Sequence, residues 1–266
     1  CILPLDVNAS EKDFVASDSA VRVGFKDVKN LGEKDIESLL GRRAQRPFES
    51  LPDFLQRTCV PLDAVESLIL AGAFDSLHPN RRALLWQLRL ANRDGGLLPA
   101  QAISCDPPDL PDFSEAEKTC YEWEMVGFGM RHHLMEFVRE TLEKEGVRTA
   151  AQVKGTRGGT ALKAAGLLIR PHRPPTRSGR TVVFFSLEDE TGLLDVTCFE
   201  SIYHKFGHLI FTQNALLVEG RVESDRGVAL IAQRIARLPQ QSPPSKAQPP
   251  TRANPGRPPG GPRPSK

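Results

Sequence analysis

The chain has 266 residues, 39% of them hydrophobic, with a formal net charge of +2. That length leaves room for more than one domain and a real apolar core, while the near-neutral balance names no partner by itself. No apolar run reaches the length of a membrane span, and none has the form of a secretory leader. The five cysteines include no C-x-x-C pair, which excludes the usual zinc spacing. Their odd number, without a leader, fits a reducing cytoplasm.

Residues 1–18 read as irregular, and a start at Cys1 suggests the downstream piece of a longer chain. Val21, Val23 and Phe25 alternate with Arg22 and Gly24 as a short extended segment. Asn30-Leu31-Gly32 then forms a tight turn with an apolar centre, opening a helix over 33–43 whose stripe is Ile36, Leu39 and Leu40. Such a turn has the logic of a helix–hairpin–helix: amides at a bent turn and a helix start can hold a phosphate without reading a base. Asn30 stands where a first glycine is usual, and asparagine tolerates the left-handed backbone. The plain alternative is a helix–turn with solvated lysines.

A helix over 47–58 has Ser50 as its cap, and another begins at Pro61 and ends near Gly72. The stretch 71–77 is a second hairpin-like turn. Asn80 caps a helix to about 92, with Arg81 and Arg82 in its first turn. There they oppose the helix dipole, so they are either solvated or met by a carboxylate or phosphate. The Gly- and Pro-rich stretch 94–113 reads as a linker. Residues 114–160 read as a helical connector with a Ser114–Glu117 capping box, a break at His132 and His133, and a helix over 135–145. Adjacent histidines do not share a metal as an i, i+4 pair does. They are read as turn residues, and no metal site is expected.

Over 161–238 the pattern changes to strands: 162–170 ended by Pro171, 180–188, 193–199, 214–224 and 227–235, with a helix over 201–207 capped by Gly207. Strand, strand, strand, helix, strand, strand is the order of an oligonucleotide-binding (OB) barrel. Its first loop, 170–180, is arginine-rich and has no acid, and the loop between the last two strands carries Arg226. In this fold both loops flank the binding face. Arg173, Arg177, Arg180 and Arg226 are therefore candidate phosphate contacts. Alternation sets Phe184 opposite Phe185 and Phe199 opposite Cys198, so Phe184 and Phe199 are candidate stacking platforms unless all three rings are core. Residues 239–266 hold ten prolines and five basic residues without an acid, and read as a disordered tail. The expected class is α+β and multidomain: a helical region at 1–93, then the linker, connector, five-stranded barrel and tail.

No phosphate-binding G-x-x-x-x-G-K-[ST] loop, G-x-S-x-G turn, H-E-x-x-H or strand-borne aspartate pair is present, so the residues read as a binder and not a catalyst. The strings LPLDVN, VRVGFKDVKNLGEKDIESL, PFESLPDFLQR, AVESLILAGAFDSL, WEMVGFGMRHHLM and VVFFSLEDETGLLDVTCFES, in that order, resemble the bacterial DNA polymerase III alpha subunit. RRALLWQL leans toward its error-prone branch. The resemblance implies a DNA-binding portion of a polymerase, cytoplasmic and associated with the nucleoid. Duplex contacts would fall at Lys29, Asn30, Leu31, Gly32 and Lys34. Single-strand contacts would fall at Arg173, Arg177, Arg180 and Phe184. The family's palm carboxylates and their Mg2+ are not in this chain, so no cofactor and no independent nucleotidyl transfer are expected. The family also binds a sliding clamp through a glutamine-led apolar motif; Gln101-Ala-Ile-Ser-Cys lies in the right linker but lacks the aromatic end. Two other readings stand beside this one: a protein-interaction scaffold recruiting through its proline-rich tail, and an RNA-binding OB module.

Overall fold

The structure is a computed structural model and describes residues 2–17, 19–91, 109–176, 179–224 and 227–238. The expected tail, Arg177, Arg226, Gln101 and most of the linker lie outside these residues.

The helical region packs α1 (Glu33–Gln45), α2 (Leu51–Arg57), α3 (Leu62–Leu70), α4 (Arg81–Ala91) and α5 (Glu115–Val126) on one apolar core. A three-stranded sheet of β1 (Ile2–Leu3), β2 (Val15–Ser17) and β3 (Ala20–Arg22) precedes them, in the order β1-β3-β2. Beyond β3, Val23 and Phe25 are completely buried. The helix starts follow from their caps. Ser50 Oγ accepts the Asp53 amide, Asn80 Oδ1 accepts the Ala83 amide, and Ser114 and Glu117 exchange bonds in a closed box. Phe54 lies 5.1 Å from Phe74, edge-on, and 4.8 Å from Phe48, giving α2 an aromatic anchor.

Arg81 departs from the solvated alternative. Its side chain is wholly buried, with Nε and Nη2 donating to Asp75 at 2.9 and 2.7 Å and Nη2 also to Glu122 at 2.9 Å. The other oxygen of Glu122 accepts the Met130 amide at 3.0 Å. Burial works against the guanidinium charge, but the two carboxylates outweigh it and raise the pKa. The turn at 71–77 closes directly on this group: Gly72 has φ +81°, and a Cβ there would stand 2.2 Å from Arg81 Nη2. One charged cluster thus ties that turn to α4, to α5 and to the segment after α5. Arg82 is half-buried, its guanidinium 4.4 Å from the Phe113 ring centre and paired with Glu117 at 3.0 Å.

The helix expected over 135–145 is instead a 3-10 turn, Leu134–Val138, followed by α6 (Arg139–Lys144). His133 caps the turn: its Nδ1 accepts the Met135 amide while its own amide donates to Glu136. The last part of the expected connector joins the barrel. β4 (Val147–Arg148) pairs in parallel with the first barrel strand, and α7 (Ala150–Lys154) puts Ala150 and Val153 into the barrel core.

The barrel is β5 (Ala161–His172), β6 (Val182–Asp189), β7 (Gly192–Phe199), α8 (Glu200–Ile210), β8 (Ala215–Glu223) and β9 (Ala229–Arg237). The strands run β5-β6-β7-β9-β8, and β8 closes on β5; only β7 and β9 are parallel among these pairs. This is the expected OB topology. Two local expectations change. Strand β5 passes through Pro171 to His172, with a bulge between Ile169 and His172 where no ladder N–H is required of the proline. Gly207 is not the cap of α8 but an interior position under Tyr203; a Cβ there would meet that ring at 2.6 Å. Alternation along β7 is as read: Leu194, Val196 and Cys198 are core, and burial pushes the Cys198 thiol up to about 11. Arg139 of α6 binds Asp189 and Glu190 at the β6–β7 turn, and Asp189 also accepts the Ala150 amide at 2.7 Å. These bonds fasten the barrel to α6 and α7.

Candidate nucleic-acid interface

The period-two alternation of β6 and β7 buries Val183, Phe185 and Leu187 and leaves the other set facing outward. The register then lays these outward residues in rows across the sheet. Val182 pairs with Phe199. His172, Phe184, Thr197 and Ile231 form the next row, and Ser186, Asp195 and Ala229 the one beyond. Phe184 and Phe199 remain 37% and 47% exposed, so neither is core. Their positions are diagonal neighbours on adjacent strands, with backbones ~7–8 Å apart.

Phe184 lies in a concavity of about 570 Å³ with Arg170, His172, Asp195 and Thr197 among its walls. The His172 ring stacks on Phe184 with centroids 5.6 Å apart and planes 27° from parallel. The bulge in β5 makes this possible: Arg170 adopts φ +47°, a left-handed conformation unusual outside glycine, and the strand then re-enters register at His172. Arg173 and Arg180 are exposed and line a second hollow of about 250 Å³ in the same loop. The loop is tied by Thr176 Oγ1 donating to the Arg180 carbonyl. Among the described residues, no ion pair occupies Arg170, Arg173 or Arg180. The structure therefore groups Phe184 with Arg170 and His172, sets Phe199 one row away, and places Arg173 and Arg180 on the neighbouring loop.

The hairpin ahead of α1 is built otherwise. Asn30 does take the left-handed conformation, φ +64°, and its side-chain amide donates to Ser67 at 3.1 Å. Yet three of the amides expected to meet a phosphate have partners already. Lys29 N–H donates to the Met125 carbonyl at 2.9 Å, Leu31 N–H to Val28 at 3.2 Å, and Gly32 N–H to the Asp35 carboxylate at 3.1 Å. Leu31 itself is buried. Glu33 and Asp35 put negative charge at the helix start, and Lys29 Nζ lies 3.6 Å from Glu124. Lys34 is exposed. Asp35 is the residue that sequence reasoning passed over here, although its position three residues after Gly32 is the capping-box spacing.

On the barrel, sequence reasoning missed Arg170, His172 and Asp195. Arg170 and His172 were legible as part of an arginine-rich loop but not as wall residues, because the bulge that re-aims them has no sequence mark beyond Pro171. Asp195 was legible as outward-facing from alternation alone.

Two stretches of the chain match family models. Residues 1–84 match the family model described as a helix-hairpin-helix motif, and residues 148–238 the one described as an OB-fold nucleic acid binding domain. The relatives are polymerases. The error-prone DNA polymerase of Symbiobacterium thermophilum is 39% identical over 89% of this chain and 27% of its own length. That of Corynebacterium glutamicum is 33% identical over 89% of this chain and 22% of its own. The chain thus spans about a quarter of the length of the curated relatives it matches. The resemblance read from the sequence holds, and the error-prone branch is the one these relatives carry. Among solved structures, a single-stranded DNA binding protein from Thermus aquaticus is 26% identical over 32% of this chain and 44% of that one, with a TM-score of 0.27. Among the described residues no helix is long and apolar enough to cross a membrane.

Proposed function

We propose that this chain is a DNA-holding segment of an error-prone DNA polymerase, and that its barrel face takes single-stranded DNA. The observation that carries this reading is the groove itself. An exposed phenylalanine, backed by a stacked histidine, stands beside arginines that have no carboxylate partner among the described residues. Bases stack on Phe184 and Phe199, while Arg170, Arg173 and Arg180 neutralise phosphates; Arg177, from the same stretch of sequence, and Arg226, from between the last two strands, act with them. The helical hairpin contributes to a duplex grip through the side chains of Lys29 and Lys34 more than through the turn amides. Nucleotidyl transfer and its Mg2+ belong to the remainder of the polymerase, and a sliding clamp and other replication proteins are partners by resemblance alone. The reading places the chain in the bacterial cytoplasm, at the nucleoid.

Fluorescence anisotropy with a labelled single strand across a salt series tests it. Affinity falls with salt, with a log–log slope of about −0.7 for each phosphate held. The Arg173→Ala/Arg180→Ala double variant binds more weakly and reduces that slope by about 1.4. Affinity that ignores salt, or a double variant that keeps the wild-type slope, overturns the assignment.

A further inference from the structure

The groove contains one residue that a phosphate-binding surface has no use for. Asp195 stands on the outer face of β7 between Ser186 on β6 and Ala229 on β9, in the row next to Phe184. It is exposed, it is part of the same concavity, and Ser186 Oγ donates to its Oδ1 at 2.7 Å. Among the described residues no lysine or arginine pairs with it. Its flanking residues on both neighbouring strands are small, so the carboxylate stands at an open place in the floor. A bare carboxylate here repels the DNA backbone. It is compatible with a bound strand only if the phosphates run past the arginines and the base edges point at Asp195.

Chemistry then selects among bases. A carboxylate is an acceptor only; with the Ser186 hydroxyl fixed on one oxygen, the other is left to accept from the ligand. Cytosine offers an amino donor at N4, and acidic side chains accept from that group; thymine at the corresponding place offers the O4 acceptor. Phe184 and Asp195 are diagonal neighbours, ~7–8 Å apart at the backbone. A base lying on the Phe184 ring therefore has its edge within reach of the carboxylate. We propose that Asp195 is a base-reading residue: the groove favours cytosine over thymine in the nucleotide stacked on Phe184. This rests on the reading of the barrel face as a single-strand site and adds a specificity to it.

The test compares oligo(dC) and oligo(dT) of equal length, at mildly alkaline pH to keep cytosine unprotonated, with the wild-type chain and the Asp195→Ala and Asp195→Asn variants. The expected wild-type preference for dC is about tenfold, the lower part of the range for a good base contact. Both variants lower the dC:dT ratio. Asn goes further than Ala, because its amide donates to thymine O4. The ratio of ratios cancels the intrinsic difference in flexibility between the two oligonucleotides. Binding with a dC:dT ratio that the Asp195 variants leave unchanged overturns the base-reading role while leaving the single-strand site standing. Absence of binding to either oligonucleotide removes the site itself. Both substitutions are at an exposed position with one side-chain bond, and an unchanged melting temperature verifies the fold.

Discussion

The hairpin ahead of α1 and the outer face of β6 and β7 both carry cations beside shaped backbone, yet their polar groups are in opposite states. In the hairpin the amides of Lys29, Leu31 and Gly32 are bonded internally, and Lys29 lies near Glu124. On the barrel Arg170, Arg173 and Arg180 face solvent with no carboxylate partner among the described residues, and Phe184 and Phe199 are left part exposed. A group already bonded within the fold must give up that bond before it serves a ligand, and a typical one contributes ~0.5–1.5 kcal/mol. An arginine without a carboxylate partner, beside a ring that is still part exposed, carries no such debt. The comparison therefore teaches that matching residue types at matching spacing does not establish a site; the bonding state of the groups does.

The sharpest way to separate the two regions is through their stability. Replacing Arg81 with Leu leaves Glu122 buried and deprived of its partner, a loss of ~3–5 kcal/mol for a broken buried ion pair. Of the two tryptophans, Trp86 lies in α4, while Trp123 of α5 packs against the cluster that includes Ala165 and Leu167 of β5, so Trp86 fluorescence in a Trp123→Phe background follows this region in a urea titration. Cys198 reports on the barrel: it is buried with its thiol pushed up to about 11, so it stays unalkylated at neutral pH until the barrel opens. The variant is expected to shift the tryptophan transition and leave the Cys198 labelling midpoint near the wild-type value. Equal shifts in both would show one cooperative unit and dissolve the comparison.

Next in size is Phe184→Ala. Base–aromatic stacking is worth ~1–3 kcal/mol per base, so single-strand affinity falls by about 5- to 150-fold with the melting temperature nearly unchanged. A loss under twofold would leave the barrel no more committed to DNA than the hairpin. The smallest effect is expected from Lys29→Ala/Lys34→Ala: less than about threefold in affinity for duplex, with the salt slope changed by less than about 0.9, the value of one full phosphate contact on duplex. A double variant that loses more than Phe184→Ala would reverse the order of the two regions.

Much of the architecture could be read from local chemistry. Ser50, Asn80 and Ser114 start helices wherever they stand, because a short oxygen side chain reaches the amides of the next turn. Alternation in 182–189 and 192–199 separated Phe184 from Phe185 and Asp195 from Leu194 without knowledge of what lay beneath. Asn30 was legible as a left-handed residue because its side chain tolerates that backbone. Arg81 was not legible as a core residue. Its partners, Asp75 and Glu122, are 6 and 41 residues away, and only the packing of α5 on the turn brings the second of them in. The same is true of the place of 147–154 in the barrel, which depends on a parallel pairing with β5.

By itself, then, the sequence determined where the capped helices begin, which side of β6 and β7 faces inward, and the order of strands that closes a five-stranded barrel, since these follow from period, caps and turn residues within a few positions of one another. Only the tertiary structure decided which polar groups are spent and which are free. That depends on carboxylates and carbonyls delivered from distant segments, as Met125 is to Lys29 and Glu122 to Arg81, and on a bulge that turns Arg170 and His172 onto the face of Phe184.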